Sequence, residues 1–158
     1  MKISTRGRYA VRMLADIAEH EPGYVSLSSV ADRQGISKKY LEQIAMNLQR
    51  VGMLAGARGY KGGYKLARDA QSITVLEILQ AMEGSMAVVG CLEDEENRCT
   101  RCHECKTLPI WMGLKKEIES YLGGITLKDV VGTPLVFDAE NTGTATEEPD
   151  PCWLGRGC

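Results

Sequence analysis

Three observations predict a mainly α-helical fold with one small β-hairpin. Apolar residues recur at three- and four-residue spacing in several separate stretches. Two short apolar runs flank a glycine-rich string. A small residue, a glycine turn and a row of apolar residues follow one another between the second and third helical stretches. Together they describe a winged helix-turn-helix, followed by one further long helix.

Thr5 to His20 reads as the first helix, with Ala10, Met13, Leu14, Ile17 and Ala18 on one face and Glu21-Pro22-Gly23 as its stop. The second runs from Leu27 to Gln34, with Ser26 as N-cap and Gly35 as terminator. Ser37 caps a third, Lys38 to Val51, closed by Gly52. Met53 to Ala57 and Tyr64 to Ala67 are predicted as hairpin strands around the tip Arg58-Gly59-Tyr60-Lys61-Gly62-Gly63. Thr74 caps a fourth helix ending near Glu83. Residues 84–107 read as loop, apart from a strand at Met86 to Val89. Leu108 to Leu122 forms the long helix, with Pro109 in its first turn, Gly123-Gly124 after it, and a last turn at Leu127 to Val131 capped by Thr126. The domain reading is residues 1–83 as the DNA-binding unit, 84–107 as a cysteine ligand loop, 108–131 as a dimerisation helix with its last turn, and 132–158 as a disordered tail rich in Gly, Thr, Glu, Asp and Pro.

The formal net charge of −2 hides two halves of opposite sign. Residues 1–70 hold 12 Lys/Arg against 6 Asp/Glu; residues 71–158 hold 7 against 15. A basic half carrying a helix-turn-helix points to nucleic acid. The chain has no apolar run of the roughly 18–20 residues a transmembrane helix needs, and its start, MKISTRGRYAVRM, has no apolar signal core. A cytoplasmic protein with no membrane partner is expected. No catalytic triad or paired-carboxylate constellation stands out, so the chain does not read as an enzyme.

The reading element is Ala31-x3-Gly35-Ile36-Ser37-x3-Leu41-x2-Ile44. Ala31 lets two helices cross closely, Gly35 supplies a positive φ for the turn, and the apolar positions bury the inner face of the following helix. If Leu41, Ile44, Ala45 and Leu48 face inward, Lys38, Lys39, Glu42 and Gln43 face outward, with Asn47 and Arg50 further along. Gln43 suits adenine, and Glu42 can accept from cytosine N4. Lys38, Lys39 and the hydroxyls of Ser37 or Tyr40 suit phosphate. In the hairpin tip, Arg58, Tyr60 and Lys61 stand among glycines that allow close backbone approach, and Arg58 is placed for a minor groove. The same glycines lack the strand-to-helix context of a nucleotide cradle.

Cys91-x7-Cys99-x2-Cys102-x2-Cys105 packs four thiols into fifteen residues, a pattern that suits a soft metal or iron–sulfur centre. Structural zinc on these four, or on three with His103, is an alternative. The acidic Glu93, Asp94, Glu95 and Glu96 read as a solvated face. A redox electron carrier fused to a basic helical module is a further alternative, but the sequence offers it no substrate pocket or partner site. The stripe of Trp111, Leu114, Ile118, Tyr121 and Leu122 on the long helix is too apolar for water and predicts pairing with a second copy.

MKISTRGRYAVRML, the helix ending SKKYLEQI, the segment ARGYKGGYKLAR, the helix SITVLEIL and the later Cys loop with Trp111 together resemble a family of winged-helix regulators. It comprises iron–sulfur cluster regulators, nitric-oxide regulators and cysteine-metabolism repressors. The likeness covers about residues 1–131. It implies a homodimer on a double-stranded DNA operator, a long helix forming the dimer interface, a wing in the minor groove, and promoters of iron–sulfur assembly or cysteine and redox genes. It also implies an iron–sulfur cluster, [2Fe–2S] first and [4Fe–4S] second, on three Cys matched by Cys91, Cys99 and Cys105. Here the first gap is longer than in the family and Cys102 is additional. The fourth ligand is open: Leu108 stands where the iron–sulfur regulator has His, and Arg8 where the nitric-oxide sensor has Asp. Cys102 and His103 are the local candidates.

Overall fold

The computed structural model describes residues 2–59, 62–94 and 99–132. Tyr60 and Lys61 of the hairpin tip, Glu95 and Glu96, and the expected disordered tail from 133 onward with Cys152 and Cys158 lie outside the described residues.

Helix α1, Thr5–Glu19, begins where Ser4 Oγ accepts the Gly7 amide, and it runs through the centre of the fold. Its Ala10, Met13, Leu14 and Ile17 are fully buried, each of the larger ones contributing about 1.5–3 kcal/mol of burial free energy. Helix α2, Leu27–Gln34, is capped by Ser26 and ended by Gly35 at φ 64°. Helix α3, Lys38–Arg50, is capped by Ser37 and buries Leu41, Ile44, Ala45 and Leu48 against α1. Two antiparallel strands follow, β1 (Leu54–Ala57) and β2 (Gly63–Leu66), paired Leu54 with Leu66 through Ala57 with Gly63. A single bridge between Val25 and Tyr64 ties the hairpin to the connector between α1 and α2. Gly63 permits this approach, since a Cβ there would sit 2.4 Å from the Val25 carbonyl oxygen.

After a short 3-10 turn at Ala70–Ser72, helix α4 (Val75–Glu83) starts with a reciprocal capping box between Thr74 and Glu77. Arg68 pairs with Glu77 at 2.9 Å. Burial works against the Glu77 charge, but the bonds from Thr74 and Arg68 outweigh it and hold the carboxyl below its ordinary range. Two 3-10 turns, Gly90–Leu92 and Cys102–Glu104, mark the cysteine region. Helix α5 spans Leu108–Gly123, and α6 spans Leu127–Gly132. Thr126 and Asp129 cap α6 reciprocally, which lowers the Asp129 carboxyl through its bonds from Thr126. Leu127 donates its amide to Ile73 and buries its side chain completely in the core around α1.

The mainly helical fold with its small hairpin is the one the sequence predicts. One element differs: residues 86–89 form no strand. Met86 is buried, at 2% exposure, but the segment has no strand partner among the described residues. An apolar run without a partner edge packs its side chains and stays irregular.

Candidate nucleic-acid interface and metal centre

The outer face of α3 begins at a cap: Ser37 Oγ accepts the Tyr40 amide at 3.3 Å. Lys38, Lys39, Glu42 and Gln43 are exposed, as are Ser37 and Arg50, while Asn47 is half-buried. This alternation follows from the apolar row Leu41, Ile44, Ala45 and Leu48 facing the core. Tyr40 differs from its polar neighbours. It is half-buried and meets Tyr9 edge to face, with ring centroids 5.9 Å apart. Exposed Arg58 leaves the end of β1 on the side of the hairpin tip. Between the hairpin and α3 lies an open groove lined by Ser26, Ser28, Lys38, Glu42, Met46 and Gly63, among others.

Sequence reasoning missed the polar cluster behind this face. Asp16 is 2% exposed, yet it receives Arg33 Nε at 3.0 and 3.2 Å, Arg33 Nη2, and Gln34 Nε2 at 2.9 Å. Burial opposes its charge, but bonds from Arg33 and Gln34 prevail and keep the carboxyl below its ordinary range. The signal that would have exposed it is a lone acid inside the apolar stripe Met13, Leu14, Ile17.

The four loop cysteines are all half-buried. Cys99, Cys102 and Cys105 fall on successive turns, with the Cys102 amide bonded to the Cys99 carbonyl at 3.1 Å and the Cys105 amide to the Cys102 carbonyl at 3.4 Å. Cys91 lies in the turn Gly90–Leu92, which Lys115 ties to α5 through the Leu92 carbonyl at 3.1 Å. Cys105 Sγ lies 3.4 Å from Thr107 Oγ1. That hydroxyl, with the backbone amides of Thr107 and Leu108, holds the Cys105 thiol below its ordinary value. Cys102 and His103 line one cavity of about 530 Å³, with Leu92, Leu108, Met112 and Lys116 on its other walls. Among the described residues no three Cys, His, Asp or Glu side chains stand close enough together to hold a metal ion. The donor chemistry nevertheless fits a soft centre: half-buried thiols, one of them, Cys105, held below its ordinary value by the Thr107 hydroxyl.

Helix α5 buries none of its side chains. Ile110, Met112, Leu114 and Tyr121 are exposed, and Trp111, Ile118 and Leu122 are half-buried. No helix among the described residues is long and apolar enough to cross a membrane.

Comparison with known proteins agrees with the winged-helix fold. The chain is 38% identical over 139 residues to the HTH-type transcriptional regulator IscR of Xenorhabdus nematophila, covering 87% of this chain and 84% of that one. Among solved structures it resembles T. potens IscR at 37% identity and a TM-score of 0.65, covering 83% of this chain and 86% of that one. It also resembles CymR, the global cysteine regulator of B. subtilis, at 32% identity and a TM-score of 0.68, covering 83% and 96%. These relatives are transcriptional regulators rather than enzymes, and their winged-helix fold is shared here. Residues 3–133 match the profile of a family described as an iron-dependent transcriptional regulator, and the chain therefore belongs to the Rrf2 family.

Proposed function

We propose that this regulator binds its operator as a homodimer and that an iron–sulfur centre on its cysteine loop tunes that binding. The observation that carries the DNA reading is α3. One face is buried in the core, and the opposite face presents Lys38, Lys39, Glu42 and Gln43 from a capped first turn. In a major groove Gln43 and Glu42 would read base edges, and Lys38, Lys39 and the hydroxyls of Ser37 and Tyr40 would meet phosphates. Arg58, with Tyr60 and Lys61 beyond it in sequence, would enter the neighbouring minor groove. The apolar face of α5 would pair with its two-fold mate, which would account for why none of its side chains is fully buried within one chain.

Cys91, Cys99 and Cys105 would hold the centre, with Cys102 as fourth ligand and a [2Fe–2S] form preferred over [4Fe–4S]. When bound, such a centre supplies a charge and a loop geometry that depend on iron supply and redox state. The family's description as an iron-dependent regulator and the structural neighbour's title as a global cysteine regulator support targets in iron–sulfur assembly or in cysteine and redox metabolism.

The test is anaerobic purification with an absorption spectrum, iron and sulfide analysis, and gel shifts on promoter fragments with loaded and stripped protein. Visible absorption, equal iron and sulfide, and different DNA affinity in the two forms are expected. A colourless zinc protein with unchanged affinity would replace the iron–sulfur reading by structural zinc. Failure to retard any fragment at low salt would remove the operator reading.

A further inference from the structure

Gln34 is the last residue of α2, directly before the turn glycine Gly35. Both ends of its side-chain amide are engaged from α1. Its Nε2 donates to Asp16 Oδ2 at 2.9 Å, and its Oε1 accepts from Arg12 Nε at 3.0 Å. Its main-chain carbonyl, one of those a helix end leaves without an internal partner, accepts from Arg12 Nη2 at 2.7 Å. The Arg12 guanidinium also lies over the Tyr9 ring, 5.5 Å from its centroid, and Tyr9 meets Tyr40 in the first turn of α3. A continuous line of directional contacts therefore runs from α1, across the helix-turn-helix turn, to the start of the reading helix.

Apolar packing anchors that turn through Ile36, which is buried in the core, but it does not set the angle of α2. Helix α2 has eight residues and buries only Leu27 and Val30. Apolar contacts favour burial but not direction, so a short helix held by two of them is open to small rotations. Hydrogen bonds through a planar amide and a planar guanidinium are directional and remove that freedom.

We infer that Gln34, clamped between Arg12 and Asp16, is a positioning residue for DNA recognition. It fixes the angle at which α3 presents Lys38 to Gln43, without itself touching DNA. This inference rests on the operator-binding reading above. A misaligned reading face loses base contacts, which depend on geometry, while it keeps the loose phosphate attraction that underlies non-specific binding.

The experiment uses the full chain and the duplex that the wild-type protein selects from a random library. Arg12 and Gln34 are changed separately and together, because Asp16 variants are the ones that threaten folding. Gln34→Ala and Arg12→Ala should each lower affinity for the selected duplex by about tenfold, with non-specific affinity and salt dependence unchanged. The double variant should be weaker than either single one but by less than the product of their effects, since both remove the Arg12 Nε–Gln34 Oε1 bond while Gln34→Ala leaves the main-chain carbonyl to Arg12 and Arg12→Ala leaves the Gln34 amide to Asp16. Arg12→Lys should not restore affinity, because an ammonium cannot bridge the amide and carbonyl of Gln34 as the guanidinium fork does.

A lowered melting temperature with unchanged selected-site affinity would reduce the cluster to a stability element and overturn the inference. So would rescue by Arg12→Lys together with a silent Gln34→Ala and an Arg12→Ala salt slope smaller by about one, the signature of a direct phosphate contact. A wild-type protein that selects no duplex would remove the operator reading and this inference with it.

Discussion

Asp16 keeps its charge inside the core because its oxygens are filled by Arg33 and Gln34. Removing one partner of a buried, hydrogen-bonded pair leaves the other unsatisfied, and here the Arg33 side chain is 35% exposed, which softens that cost. Asp16→Ala should therefore lower unfolding free energy by about 2–4 kcal/mol in urea titration. The folded carboxyl lies below its ordinary value of 3.8. Its contribution is thus complete above that value and is lost as pH falls through the depressed folded one. The wild type should lose stability over that acidic window more steeply than Asp16→Ala; parallel curves would show that the pair is not the titrating element. For the proposed iron–sulfur centre, the candidates for fourth ligand are two neighbours on one turn, Cys102 and His103, lining the same cavity. Alanine at Cys91, Cys99 or Cys105 should each abolish iron content and visible absorption, and alanine at Cys102 should reduce them. If Cys102→Ala leaves both untouched while His103→Ala destroys them, the ligand is His103.

Among the elements, the helices behave as their caps dictate. Ser4, Ser26, Ser37 and Thr74 each accept an amide of the first turn, so the helix starts are set by local chemistry. The turn between α2 and α3 depends on Gly35 at φ 64°, where nothing lies within 4 Å of a Cβ position. The penalty for a side chain there is consequently one of backbone conformation alone. Gly35→Ala should cost about 1–2 kcal/mol and Gly35→Asn less, because Asn tolerates the left-handed region. Equal melting temperatures for wild type and Gly35→Ala would mean that the turn readily adopts another geometry. The segment 86–89 shows the opposite case. Its residues satisfy a strand by composition, but a strand is a relation between two segments, and among the described residues it has no partner.

For the whole molecule, the basic half carries the winged helix and the acidic half carries the loop and α5. Lys and Arg on the first half should make binding fall steeply with salt, as condensed counterions are displaced. Helix α5 leaves Leu114 43% and Tyr121 56% exposed. The proposed homodimer would cover that patch. Leu114→Glu and Tyr121→Glu should turn a sedimenting dimer into a monomer at micromolar concentration while the helical signal persists, because neither residue is buried within the chain. A wild-type monomer at that concentration, with operator present, would exclude the dimer.

The sequence by itself determined what depends on neighbours along the chain. Caps, glycine stops and the apolar period of α1, α3 and α4 are local, and they were legible in Ser26, Gly35, Ser37 and Thr74 without any tertiary information. The outward face of α3 followed from the same periodicity, as did the concentration of thiols between Cys91 and Cys105. Tertiary structure decided which distant groups meet. Nothing local announces that Gln34 bonds to both Arg12 and Asp16, that Leu127 returns to pack around α1, or that Lys115 holds the turn at Leu92. Those contacts join residues far apart in the chain, and each exists only because the core has already fixed the distance between two helices or between a helix and a loop.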